Sequence, residues 1–291
     1  MKSLRITIMM ISAILAFSCA PEQKDDMFDV PQDGYTFFEA DFQTVDFDAE
    51  AEQFWQKGID VGVFGSAEGL NERYTLKKAY DGKAVGEFYG PKVSGDQIVA
   101  YYPYSPDFTL FEGKPHYELA PVQKYGEEGN LYEQFCKYSD VVYAFAAGGK
   151  LSFSHASGIL IVEVRMDGVG AVKSLTLASS EPISGMGGVN EDMSVGLSSS
   201  SSKTLCLDCE PGLEPKSGSS FRQFPLVMPA GSYSGVTLTV AFTSGDSVKV
   251  KLDDVEVKPL TVSGQDIRTV TVSNGLGGFE VEDGLTFEPL S

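Results

Sequence analysis

Apolar and polar residues alternate with a period of two along most of this chain, and that rhythm confines it to β-structure. Phe38, Ala40 and Phe42 alternate with Glu39, Asp41 and Gln43; Ile59, Val61 and Val63 alternate with Asp60 and Gly62. Leu160, Val162 and Val164 line one face of a later segment. Val236, Leu238, Val240 and Phe242 do the same, as do Val248, Val250 and Leu252 against Lys249 and Lys251, and Val270 and Val272 against Thr269 and Thr271. A two-residue period rich in β-branched and aromatic side chains predicts strands buried on one face. Asp81-Gly82, Asp167-Gly168, Gly245-Asp246, Asn274-Gly275 and Asp283-Gly284 supply turn signals between them. Helical spacing is confined to Asp48–Gln56 and Leu131–Tyr138. The expectation is an all-β protein of sandwiches with Greek-key connections.

Residues 1–18 stand apart. Lys2 and Arg5 precede an apolar run from Ile6 to Phe17, too short to cross a membrane as a helix and ending in small residues, which is the pattern of a secretory signal peptide. Cys19, after Ala16-Phe17-Ser18, resembles the cysteine of a bacterial lipobox, whose thiol is acylated and whose chain is cut just before it. Cys19 is therefore the predicted lipidation site. Several acyl chains hold a protein on a bilayer, at ~0.8 kcal/mol per buried methylene.

Removing residues 1–18 takes away two cations, Lys2 and Arg5, and no anion, so a net charge of −19 becomes −21. So negative a chain repels nucleic-acid phosphates and anionic lipid surfaces, which excludes nucleic acid as a partner. The remaining 273 of 291 residues suffice for two domains. The small residues Ala146-Ala147-Gly148-Gly149 mark the break. The predicted division is a flexible acidic tether over 19–33, an N-terminal β-sandwich over 34–148 and a C-terminal β-sandwich over 149–291. Ser179–Ser202, rich in Gly and Ser, is predicted to be a long surface loop. Cys136, Cys206 and Cys209 remain after lipidation, an odd number that leaves at least one free thiol.

Five short stretches, in order, resemble the fimbrillin-like family of Bacteroidetes surface lipoproteins, which includes type V pilus subunits. They are Trp55–Phe64 (WQKGIDVGVF), Val99–Tyr104 (VAYYPY), Asp140–Ala144 (DVVYA), Leu151–Ala156 (LSFSHA) and Met228–Gly235 (MPAGSYSG). The acidic stretch Ala20–Asp26 resembles the export signal that sends lipoproteins of this group to the outer face of the outer membrane. The resemblance implies two tandem transthyretin-like sandwiches, a lipid-anchored location on the outer membrane, and a role as pilus component, anchor or adhesin. It implies membrane, other pilus subunits and a host protein or glycan as partners. In polymerising members a protease removes the first strand, and a strand from the next subunit fills the groove. Those members carry a basic residue in the loop after that strand. Here no arginine occurs between Cys19 and Arg73, and the lysines in that interval are Lys24 and Lys57. The expectation is a subunit that is not itself a processed stalk pilin.

The candidate chemistry is sparse. Cys206-Leu-Asp-Cys209 has redox or zinc spacing, but its residues lie in an alternating segment where positions three apart face opposite ways. Ser154, His155 and Asp140 lack a nucleophile elbow, and neighbouring strand residues cannot converge, so His155 is expected to be packed or capped at a domain junction. Asp41, Asp46, Asp48, Glu50 and Glu52 lack the glycine and terminal glutamate of a calcium loop. Gly185-Met-Gly187-Gly188 lacks the third glycine of a dinucleotide loop and is expected to be flexible. Tyr101, Tyr102 and Tyr104 around Pro103 form the one candidate ligand platform, on which a sugar ring could stack. This carries the alternative of a glycan-binding surface lipoprotein. No enzyme activity, metal or cofactor is expected.

Overall fold

The computed structural model describes residues 34–42, 55–65, 69–95, 97–127, 129, 131–147, 149–165, 170–215, 219, 221–260, 268–275 and 278–285. The regular secondary structure of the described residues is almost wholly strand. Seven strands close on themselves as a barrel: β1 (Tyr35–Phe42), β2 (Asp60–Gly65), β3 (Glu72–Leu76), β4 (Gly86–Pro91), β5 (Ile98–Tyr102), β9 (Val142–Phe145) and β10 (Lys150–His155). Their order is β1-β10-β9-β5-β2-β3-β4. β1 makes the closure, pairing antiparallel with β4 over Tyr35–Ala40 and parallel with β10 over Glu39–Phe42. The small residues around Ala146 and Gly149, expected to mark a domain boundary, instead join β9 to β10 within the barrel.

Three further sheets follow. One orders β16 (Phe221–Pro229), β11 (Ser157–Arg165), β19 (Arg268–Gly275) and β20 (Gly278–Leu285). A second orders β18 (Ser247–Val257), β17 (Gly231–Phe242), β12 (Val172–Ala178), β15 (Thr204–Leu213) and β8 (Val122–Lys124). The third orders β14 (Val195–Leu197), β13 (Gly185–Val189), β7 (Lys114–Leu119) and β6 (Leu110–Phe111). The one α-helix among the described residues, α1 (Leu131–Tyr138), lies between β8 and β9, with the bounds its spacing predicts. β7 and β8 come before the barrel's last two strands in the chain yet pair with β13 and β15, so Tyr35–Ser291 forms one unit.

The Gly- and Ser-rich stretch is not one continuous loop. β13 and β14 are a hairpin there, and β13 also pairs with β7. Gly185-Met-Gly187-Gly188 is part of β13. A Cβ on Gly187 would lie 2.4 Å from the Gly196 carbonyl oxygen, so the glycine lets two backbones approach. Asp283-Gly284 likewise sits inside β20, opposite Val270 and Thr269, rather than at a turn. The helical spacing at Asp48–Gln56 falls mainly outside the described residues.

Two apolar clusters fill the structure. The barrel interior holds Phe38, Trp55, Tyr74, Phe88, Leu151 and Phe153. The larger cluster is mainly aliphatic, with Ile161, Leu175, Leu207 and Leu238 among its buried members, and lies between the other sheets. Adjacent residues of single barrel strands serve both: Val63 faces the barrel interior and Phe64 the larger cluster, as do Ala100 and Tyr101, and Val142 and Tyr143. Strands buried on both faces lose their polar alternation, which is why β2 is buried from Val61 to Gly65.

Candidate functional site

β1 is held from every side. Phe38 and Ala40 are buried, and the Phe38 ring lies 5.6 Å from that of Tyr74. Phe42 stacks on Trp55 at 4.0 Å between centroids, and the Trp55 indole N–H donates to the Ala40 carbonyl at 3.0 Å. Trp55 in turn meets Phe88 and Phe153 edge-on, at 4.7 and 5.8 Å. Its main chain is tied to the other side of the barrel by Trp55 N–H to Lys83 O and Gly82 N–H to Trp55 O. Asp41 pairs with Lys150 at 2.7 Å, raising the lysine's pKa by hydrogen bond and charge. The Lys77 ammonium sits 4.4 Å over the Phe37 ring. Burying each large apolar side chain contributes ~1.5–3 kcal/mol, so β1 is an integral wall.

The sequence after β1, residues 43–54, has no arginine or lysine. Lys57 lies just past Trp55 in an exposed turn, its backbone N–H donating to Asp81 at 2.7 Å. A cut there would leave Trp55 on the released piece, and with it the centre of the barrel's aromatic packing. Cys19 and residues 1–33 lie outside the described residues, as do Asp46, Asp48, Glu50 and Glu52.

The three tyrosines do not form one platform. Tyr101 is 0% exposed; its ring stacks on Phe108 at 3.7 Å and its hydroxyl donates to Ser105 O at 2.7 Å. Tyr102, next on the strand, points the opposite way, 6.1 Å from both Phe42 and Trp55. Tyr104 is partly buried with Arg73 5.8 Å from its ring. Alternation on β5 separates the first two, and Tyr104 lies on the side of Tyr101, packed against the same apolar cluster.

Cys206 and Cys209 are not joined in a disulfide. Leu205, Leu207 and Cys209 face the core while Cys206 faces the other way, as strand geometry requires. Burial pushes the Cys209 thiol up to about 12, which makes it inert as a thiolate. No group of three or more His, Cys, Asp or Glu that could hold a metal occurs among the described residues. His155 packs edge-on against Phe135 at 4.7 Å, its Nδ1 buried without a hydrogen-bond partner. Burial lowers its pKa to about 4, so it is neutral at pH 7.

An exposed sheet edge offers unpaired backbone groups to another strand, and one edge here is visibly closed. The Gln123 side-chain amide donates to Val227 O at 2.7 Å and accepts from Val227 N–H at 3.1 Å. It satisfies the outer edge of β16 as a neighbouring peptide would. Pro225 and Pro229, two residues either side, point the same way and have no N–H to offer. The buried Arg222 guanidinium fastens the segment over this edge, donating to Glu127 O at 2.9 Å and Glu214 O at 3.0 Å. Gln123 and Arg222 carry no motif; a glutamine and an arginine in ordinary strands are visible only after folding.

No protein-family model matches the chain, and no curated protein matches it. Among solved structures it is similar to a candidate cell adhesion protein from Bacteroides ovatus. The two are 13% identical over 87% of this chain and 96% of that chain, with a TM-score of 0.51. That likeness shows a shared fold. A candidate cell adhesion protein from Bacteroides uniformis is 17% identical over 88% of this chain and 99% of that one, with a TM-score of 0.43. The fimbrial anchor protein Mfa2 from Porphyromonas gingivalis is 11% identical over 87% and 99%, with a TM-score of 0.44.

Proposed function

We propose that this chain is a non-enzymatic, surface-exposed lipoprotein of fimbrillin type, anchored in the outer membrane through Cys19. It acts as a pilus component, anchor or adhesin and not as a processed stalk subunit. The observation that carries the reading is the state of β1. It is paired on both edges, contributes Phe38 and Ala40 to the barrel core, and is followed by twelve residues, 43–54, without a basic side chain. A subunit that keeps this strand has no vacant groove for an incoming one, so it suits a tethered or terminal position. The fold shared with the Bacteroides ovatus protein supports an adhesive surface role. The glycan-binding alternative loses support because Tyr101 is buried.

The anchor is tested by metabolic labelling with a fatty-acid analogue. Label should enter the wild-type protein and vanish in Cys19→Ser, which should also leave the membrane fraction or stay unprocessed. Label that persists in Cys19→Ser would contradict the anchor.

A further inference from the structure

One outer face of the barrel presents aromatic rings to solvent. Phe38, Ala40 and Phe88 point into the barrel interior. Alternation therefore turns Tyr35, Phe37 and Glu39 of β1 outward, together with Glu87 and Tyr89 of β4. Phe37 lies opposite Tyr89, and Tyr35 reaches diagonally to Tyr89, with ring centroids 6.3 Å apart and planes at 47°. Tyr35 is 40% exposed, and Phe37 and Tyr89 are half-buried. These rings fill no core, and the apolar surface they keep in water is a cost the fold itself does not require.

The charges beside the rings are matched. Lys77 pairs with Glu87, Lys150 with Asp41, and Arg73 with Asp60. The Lys77 ammonium also lies over the Phe37 ring, and the Tyr80 hydroxyl donates to Glu87 Oε2 at 3.3 Å. The chain as a whole, at a net charge of −19, attracts cations and repels anions. On this face carboxylates and cations offset one another, so it selects neither sign. What it offers is ring faces beside polar groups already held in place. A pyranose has the same two characters, with C–H groups on its faces and hydroxyls around its rim. Dispersion joins the C–H face to an aromatic ring, carboxylates accept from hydroxyls and an ammonium donates to them. The size agrees: Tyr35 to Glu39 runs about 13 Å and β1 to β3 about 10 Å, room for roughly two sugar rings. A stable protein partner covers roughly 800 Å² on each side, several times that area.

We propose that this outer face of β1 and β4 binds a neutral oligosaccharide. Tyr35 and Tyr89 stack on sugar rings, while Glu39, Glu87 and Lys77 bond their hydroxyls. The site lies on the barrel wall opposite in character to β5, where Tyr101 is buried and no platform forms. It rests on the reading that β1 stays in place, because Tyr35 and Glu39 belong to that strand. A chain that lost β1 would lose half of the site.

The test is titration calorimetry on the full mature protein in a detergent without a sugar headgroup, its mass first showing that Tyr35–Phe42 is attached. The probes are the neutral oligosaccharides cellohexaose, xylohexaose and mannohexaose, with anionic hexagalacturonate as the contrast. At least one neutral probe should bind with a Kd of about 0.1–1 mM, the range expected of a few stacked rings on an open face. Hexagalacturonate should bind more weakly. Tyr35→Ala and Tyr89→Ala should each weaken binding about three- to tenfold, the worth of one ring contact. Tyr35→Phe, which keeps the ring, and Tyr104→Ala, on another face, should leave it unchanged. No binding of any neutral probe at about 10 mM would overturn the proposal. So would binding indifferent to both alanine variants, or hexagalacturonate bound as well as the neutral probes. Binding that appears only when residues 20–33 are deleted would assign the face to that segment, and a dimer dissolved by Tyr35→Ala would assign it to a second copy; either overturns it. Because β1 is present in the protein titrated, failure here leaves the state of β1 to its own measurement.

Discussion

The barrel and the sheets beside it solve the same problem with different materials. The barrel interior is narrow and filled by few, large aromatic rings, with Trp55 touching Phe42, Phe88, Phe153 and Tyr102. The sheets that follow bury a broad layer made mainly of branched aliphatics, with aromatics such as Tyr117 and Phe224 dispersed among them. Aromatic packing concentrates stabilisation at one point, and that point holds β1. Aliphatic packing spreads it. β1 is therefore pinned by ring stacking and by the indole bond to Ala40 as well as by its ladders.

The contrast is broken most sharply by Trp55→Ala. Removing a buried tryptophan is expected to cost about 3–5 kcal/mol. Hydrogen exchange should rise first in β1, with the indole bond to Ala40 gone, while β12 and β17 stay protected. Leu238→Ala, in the aliphatic layer, should cost about 2–5 kcal/mol without selectively exposing β1. Equal exposure of β1 in both variants would remove the distinction.

His155 lies at the end of β10, where the two regions meet, and gives a smaller, pH-dependent effect. Its folded pKa, about 4, is below the ordinary 6.5 because burial disfavours the cation. Above pH 6.5 both states are neutral and nothing is gained or lost. Between pH 6.5 and 4 the unfolded chain takes up a proton that the folded chain refuses, so stability falls as pH falls. The loss reaches about 3 kcal/mol. Denaturant melts of wild type and His155→Phe across this range should diverge by that dependence; parallel curves would mean the histidine is not enclosed.

Gly62→Ala sharpens the comparison at the seam. Gly62 is opposite Tyr101, and a Cβ there would lie 1.9 Å from the tyrosine ring, which lies over the glycine. Gly90 is covered in the same way by Tyr74, with a Cβ 2.5 Å from that ring. Overpacking is expected to cost about 1–3 kcal/mol. The shift should appear in the thermal midpoint; no change would mean that Tyr101 can turn aside freely.

Sequence pattern reveals strands where one face meets water. β17 and β18 follow their alternation, and α1 follows its spacing. The pattern fails where burial leaves one face or uses no side chain. β13 was hidden because Gly187 and Gly188 contribute close backbone approach rather than apolar surface. The barrel closure was hidden because β1 and β10 are over a hundred residues apart along the chain, and pairing at that distance leaves no local mark. The tyrosines around Pro103 looked like a surface because their sequence does not say that β5 is buried on both faces. The Cys206–Cys209 separation was legible, since it follows from strand geometry alone.

The account turns on whether β1 stays in its place, and the N-terminus of protein recovered from the cell surface decides that directly. Mass analysis and N-terminal fragment sequencing should find a lipidated Cys19 as the first residue, with Tyr35–Phe42 still attached. A mature start beyond Val45, in protein that forms a ladder of polymers, would contradict it.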